Sequence, residues 1–126
     1  MNAECQDPNN KKKEMNMTAK QMKRKMEQID KRIQGIKQAL MAIGEMRPGS
    51  LTRQYKSPAT KQGAYYQISY THKMRSRTEY IRTDAVKSTR LQISEYKKYK
   101  KLIERWVELA IEHAKLRLAM EKLSSL

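Results

Sequence analysis

Tyr65-Tyr66-Gln67-Ile68-Ser69-Tyr70-Thr71 is the stretch on which the reading of the fold turns. Tyr66, Ile68 and Tyr70 alternate with Tyr65, Gln67, Ser69 and Thr71, a period of two that defines a β-strand with a Tyr/Ile face. A second short strand fits Arg77–Arg82, with Thr78 and Tyr80 on one face and Ile81 on the other. The link Thr71–Ser76 has no Asn-Gly or Gly-Gly pair to dictate its turn. Two strands alone are marginal in water, so this hairpin must pack on a neighbouring element. Tyr66, Tyr70 and Tyr80, at strand spacing, are read as its core.

To either side the period changes. Upstream, Met22, Met26, Ile29, Ile33, Ile36 and Leu40 alternate spacings of four and three, which is a heptad seam. Thr18 and Gln21 fit a capping box at its start, and Arg47-Pro48-Gly49 ends it. A helix is therefore expected over 17–45. Downstream, after Thr83 or Asp84 as cap, neither Pro nor Gly interrupts the chain to Leu123, and a long helix is expected over 84–123. One of its seams carries Leu102, Trp106, Leu109, His113, Leu116 and Met120; a neighbouring one carries Ile103, Val107, Ala110 and Ala114. That band is wider than one partner helix covers. The first helix is expected on one seam and a second copy of the chain, forming a homodimer, on the other. The fold class read from these patterns is α+β, mostly α. Two long helices, antiparallel and coiled-coil-like, flank a small basic hairpin. Residues 1–16 read as a disordered basic tail and 17–126 as a single domain, with loop and hairpin over 46–82.

The chain has 126 residues and a net charge of +15. It lacks Phe, has one Trp, and is 33% charged, a balance suited to two-faced helices rather than a large core. Such a charge attracts phosphates, although Lys-rich faces can also be merely solvated. Cys5 is the sole cysteine, so neither an intrachain disulfide nor a Cys-based zinc site is available. No metal or cofactor is expected. Met1–Asn10 has no apolar signal-peptide core, and no apolar run approaches the ~20 residues of a membrane span. A cytoplasmic, nucleoid-associated location is expected, with no membrane partner.

Catalytic machinery is hard to find. Glu104, Glu108 and Glu112 step by four along one helix face among lysines and read as a solvated ridge. His113 interrupts an apolar seam, where a hydrogen-bonded seam histidine is the plain reading. No nucleophile motif or glycine-rich phosphate loop is present, and no enzyme is expected. The positive signal lies between positions 47 and 90. There Arg47, Arg53, Lys56, Lys61, Lys73, Arg75, Arg77, Arg82, Lys87 and Arg90 face only two acidic residues, Glu79 and Asp84. Basic side chains interleaved with tyrosines suit a backbone of phosphates and bases. Arg side chains on a two-stranded ribbon can reach guanine edges, and Gln54 and Gln67 adenine. Tyr65 can stack on an unpaired base. The expected function is non-enzymatic DNA binding by a dimer, with RNA binding or a coiled-coil adaptor for an acidic protein as the alternatives.

A resemblance points the same way. Met46-Arg47-Pro48-Gly49-Ser50-Leu51, then Gln54-Tyr55, Gly63-Ala64-Tyr65-Tyr66 and Arg77-Thr78-Glu79-Tyr80-Ile81, with the long charged helix after them, resemble an uncharacterised bacterial and archaeal domain family. Its members are small proteins often found near transposases and other mobile elements, and the similarity covers Ile43 to Met120. Members carry a Cys-rich knuckle where this chain reads Lys56-Ser57-Pro58-Ala59-Thr60-Lys61-Gln62, so any zinc of the relatives is absent here. The resemblance implies a mobile-element setting, within which an accessory or regulatory factor of a transposon, phage or plasmid is the expected role. It implies DNA as first partner and a transposase or other mobile-element protein as a further one.

Overall fold

A computed structural model describes residues 17–125, so the expected tail over 1–16, with Cys5, lies outside the described residues. The elements are α1 (Ala19–Met41), β1 (Ser50–Ser57), β2 (Gln62–His72), β3 (Arg75–Ile81) and α2 (Val86–Ser124), the last preceded by a 3-10 turn at Thr83–Ala85. The chain divides into two compact units. One comprises the N-terminal part of α1, to Lys37, and α2 from Arg105; the other spans Gln38–Glu104.

In the first unit α1 begins as its sequence dictates. The Thr18 N–H donates to Oε1 of Gln21 at 3.0 Å, and the Gln21 N–H donates to Oγ1 of Thr18 at 3.1 Å. Each side chain thus satisfies a backbone donor that the first helical turn leaves free. Met22, Met26, Ile29 and Ile36 are buried, and Ile33 is half-buried. From α2, Leu109 (1% exposed) and Leu116 are buried, with Trp106, His113 and Met120 half-buried beside them. Polar contacts stitch the two helices together. Lys37 lies over the Trp106 ring at 5.4 Å, Asp30 meets Nε2 of His113 at 3.1 Å, and Lys25 meets Glu112 at 3.4 Å.

The second unit corrects the expected architecture. The segment after Pro48, expected as a loop, is a strand: β1 pairs with β2 from Ser50↔Ser69 to Ser57↔Gln62. The sheet has three antiparallel strands in the order β1-β2-β3, not a two-stranded hairpin. The helices are also unequal, 23 and 39 residues, so two long helices flanking a hairpin is not the fold. The apolar face of β1 reads Leu51-Arg53-Tyr55. The charge in its middle hid the period, and Arg53 resolves the conflict by lying over the Tyr55 ring at 5.5 Å at the sheet edge. Ile68 (0% exposed), Ile81 and Ile93 of α2 form the buried cluster, flanked by Leu51, Tyr66, Ala85 and Val86. Each buried isoleucine contributes about 1.5–3 kcal/mol. The segment between α1 and β1 is tied to α2. The Gly44 N–H donates to Glu95 Oε1 at 3.0 Å, the Arg47 N–H to the Gln92 carbonyl, and Gln92 Nε2 to Glu45. Gly44 thus serves that tie three residues beyond the end of α1.

The β2–β3 turn is tighter than the sequence indicates. His72 pairs with Arg75, leaving Lys73 and Met74 as a two-residue loop, with φ of 51° and 65°. Two positive φ values are what the right-handed strand twist favours in such a loop, and Asn-Gly supplies them at least cost. Lys and Met adopt them against the clash of Cβ with the following carbonyl. Replacing Lys73-Met74 by Asn-Gly is expected to stabilise the unit by about 1–2 kcal/mol. Thermal denaturation followed by circular dichroism checks this; a lowered midpoint would contradict the turn geometry.

Candidate nucleic-acid interface

Opposed residues on paired strands share a face, and successive residues alternate, so the registers sort every sheet residue. Leu51, Arg53, Tyr55, Tyr66, Ile68, Tyr70, Arg77, Glu79 and Ile81 lie on the face with the core. The opposite, outer face carries Thr52, Gln54, Lys56, Tyr65, Gln67, Ser69, Thr71, Ser76, Thr78 and Tyr80. Hydroxyl and amide groups link along it: Gln54 to Thr52 at 3.2 Å, Ser69 with Thr78 at 3.3 Å, Thr71 with Ser76 at 3.1 Å. It holds no carboxylate, and Lys56 is its one charge.

Tyr80, read from sequence as core, points outward and is 66% exposed. It pairs with Gln67, two residues from half-buried Tyr65, so the two rings sit diagonally on the outer face. Ile81 on the inner face already implied this by parity. Tyr66 and Tyr70 are half-buried on the inner face, as a core role requires.

Eight of the ten basic residues between positions 47 and 90 fall into three groups. At one end of β2 the β1–β2 hairpin extends beyond the pairing partner of Ile81 and exposes Lys56 and Lys61. At the other end the β2–β3 hairpin extends past Ser50 and exposes Lys73, Arg75 and Arg77. The 11 residues of β2 separate the two tips by roughly 35 Å. Arg82, Lys87 and Arg90 are exposed at and after the end of β3, Arg82 paired with Asp84 at 3.1 Å. Gln54 and Gln67, like Tyr65, belong to the outer face; Arg53 does not.

Arg47 is engaged within the fold. It is half-buried, lies over the Tyr70 ring at 5.4 Å and meets Glu79 at 3.5 Å, while the Tyr70 hydroxyl donates to Glu79 Oε2 at 2.6 Å. The Tyr70 hydrogen bond, then the Arg47 charge, hold the Glu79 carboxyl below its ordinary range, and the same hydrogen bond raises the Tyr70 phenol. Glu95 is likewise lowered, by the Gly44 N–H first and Lys98 second. A carboxyl lowered on folding adds stability above its unfolded pKa and loses it as pH falls through the folded one; a raised phenol does the reverse at high pH. The thermal midpoint is therefore expected to drop as pH falls below about 4, the ordinary carboxyl range. Glu79→Gln with Glu95→Gln should flatten that acid limb, and Tyr70→Phe the alkaline one above about 10. An acid limb unchanged in the double variant would contradict these contacts.

Among the described residues no group of three or more His, Cys, Asp or Glu is placed to hold a metal, and no helix is long and apolar enough to cross a membrane. No family model matches the chain, and neither the curated proteins nor the solved structures yield a match. Nothing in these comparisons bears on the resemblance noted in the sequence.

Proposed function

We propose that this chain is a non-enzymatic nucleic-acid-binding protein that uses its three-stranded sheet as the contact surface, with DNA as first partner. One observation carries the reading. The outer face is free of carboxylates and displays Tyr65 and Tyr80, and exposed cations stand at each hairpin end: Lys56 and Lys61 at one, and Lys73 at the turn of the other, with Arg75 and Arg77 on the opposite side of that ribbon. A polyanion laid along β2 meets positive charge at both ends and hydroxyl, amide and ring groups between. The spacing of the tips is close to one turn of duplex DNA, about 34 Å. An accessory or regulatory role in a mobile element rests on the resemblance and belongs to the same proposal.

The test is a fluorescence-anisotropy titration of labelled duplex DNA, single-stranded DNA and RNA at several salt concentrations. Binding that weakens steeply with salt is expected, because each neutralised duplex phosphate adds about 0.9 to the slope of log affinity against log salt. Tyr65→Ala with Tyr80→Ala should weaken single strands by roughly 10-fold or more if bases stack on the rings, and duplex much less. Preference for RNA would favour the ribonucleoprotein reading. Failure to bind any of the three in dilute buffer would end the proposal.

A further inference from the structure

Within the first unit, α1 covers one seam of α2 and leaves another open. Val107, Ile111 and Leu118 are 51%, 53% and 66% exposed, and Ala114 between them is exposed too. Their spacing of four, three and four puts them on one stripe of the helix, about two heptads long. Buried Leu109 and Leu116 lie on the far side of the helix from that stripe. Grooves flank it: Ile33, Ala110 and His113 line one, and Met22, Lys25 and Glu112 the other. Three large aliphatic residues in a row on a solvent-facing stripe mark an interaction face.

We infer that this stripe pairs with the same stripe of a second copy of the chain, the two α2 helices running in opposite directions. Size and charge both select that arrangement. The four-three-four spacing is symmetric about its centre. Antiparallel pairing therefore sets Ile111 against Ala114 and Val107 against Leu118, a large residue against a small or medium one in each layer. Parallel pairing sets Ala114 against Ala114 and leaves a gap where close packing needs volume. Along one flank, Glu108 precedes the stripe's centre and Lys115 follows it. In an antiparallel pair that flank meets itself reversed, so Glu108 of each copy faces Lys115 of the other, twice by symmetry. In a parallel pair the flank meets the opposite one, where Glu108 finds Ile103 and Lys122 finds Arg117. The present partner of Glu108, Arg105 at 3.1 Å, is an exposed ion pair on its own helix and does not block the exchange. This surface is independent of the nucleic-acid reading, and its test uses none.

Sedimentation equilibrium of the full chain across micromolar to submillimolar concentrations is expected to show a reversible monomer–dimer equilibrium. Ile111→Asp with Leu118→Glu should shift it at least 10-fold toward monomer while helical circular dichroism is retained, since both side chains are exposed. Direction is read by disulfide trapping in a Cys5→Ser background. Val107→Cys mixed with Leu118→Cys should cross-link, and Val107→Cys alone should not. A strict monomer throughout overturns the inference. So does a dimer that both charged substitutions leave intact, or efficient trapping of Val107→Cys with itself.

Discussion

Gly49→Ala is expected to destabilise the sheet unit by about 2–4 kcal/mol, the sum of overpacking and an unfavourable backbone. Gly49 sits at φ 147°, and a Cβ there would stand 2.6 Å from Cγ1 and 2.7 Å from Cδ1 of Ile68. Ile68 cannot yield, because it is fully enclosed by Ile81, Ile93 and their neighbours. A small unit has on the order of 5 kcal/mol to lose, so the variant should be largely unfolded at modest urea concentration. Gly35→Ala is the matched control. Nothing lies within 4 Å of its added Cβ in the middle of α1, and the change should stabilise by about 1 kcal/mol through helix propensity. Urea titrations followed by circular dichroism compare the two. Equal midpoints for Gly49→Ala and the parent would mean that the backbone does not approach Ile68 this closely.

Removing the cations at the hairpin tips should produce the largest change in binding. Lys56, Lys61, Lys73 and Arg75 are all exposed and make no ion pair among the described residues. Changing the four to Gln leaves the sheet's pairings and core untouched. If each neutralises one duplex phosphate, the salt slope should fall by about 3.6, and affinity at moderate salt by roughly 100-fold or more. The two tips can be tested separately, and equal contributions are expected from Lys56 with Lys61 and from Lys73 with Arg75. Arg47→Gln supplies the contrast. It should lower stability, through loss of the Glu79 pair and the Tyr70 contact, with little change in slope. A quadruple variant with the parent's slope would remove the tips from any role in phosphate contact.

Local, repeated signals carried much of this architecture in plain view. The Tyr66-Ile68-Tyr70 alternation marks β2, and the Met22-to-Ile36 seam with its Thr18–Gln21 box marks α1, because single-element periodicity needs no knowledge of partners. Strand β1 was hidden because Arg53 stands in its apolar face, acceptable only at an edge where Tyr55 offers its ring. The β2–β3 turn was hidden because Lys73 and Met74 occupy positions that Gly and Asn would advertise. At the candidate site, composition showed where positive charge accumulates but not which charges are free. Arg47 is held by Tyr70 and Glu79, a grouping that depends on how the strands pair, whereas Arg82 meets Asp84 two residues on, a local pair. Tyr80 illustrates the same limit. Its ring type suggests core, yet the parity set by Ile81 turns it to the outside.

The sheet's strand order also bears on how it assembles. Because β2 pairs with the strand just before it and the strand just after it, every rung of the ladder joins near neighbours in the chain. Closing such short loops takes little entropy and lets hairpins zip on a microsecond scale. The costlier event is recruiting Ile93, which caps the isoleucine cluster from beyond β3. Without that residue the apolar side of the meander would lie open to water, so its packing is what closes the platform.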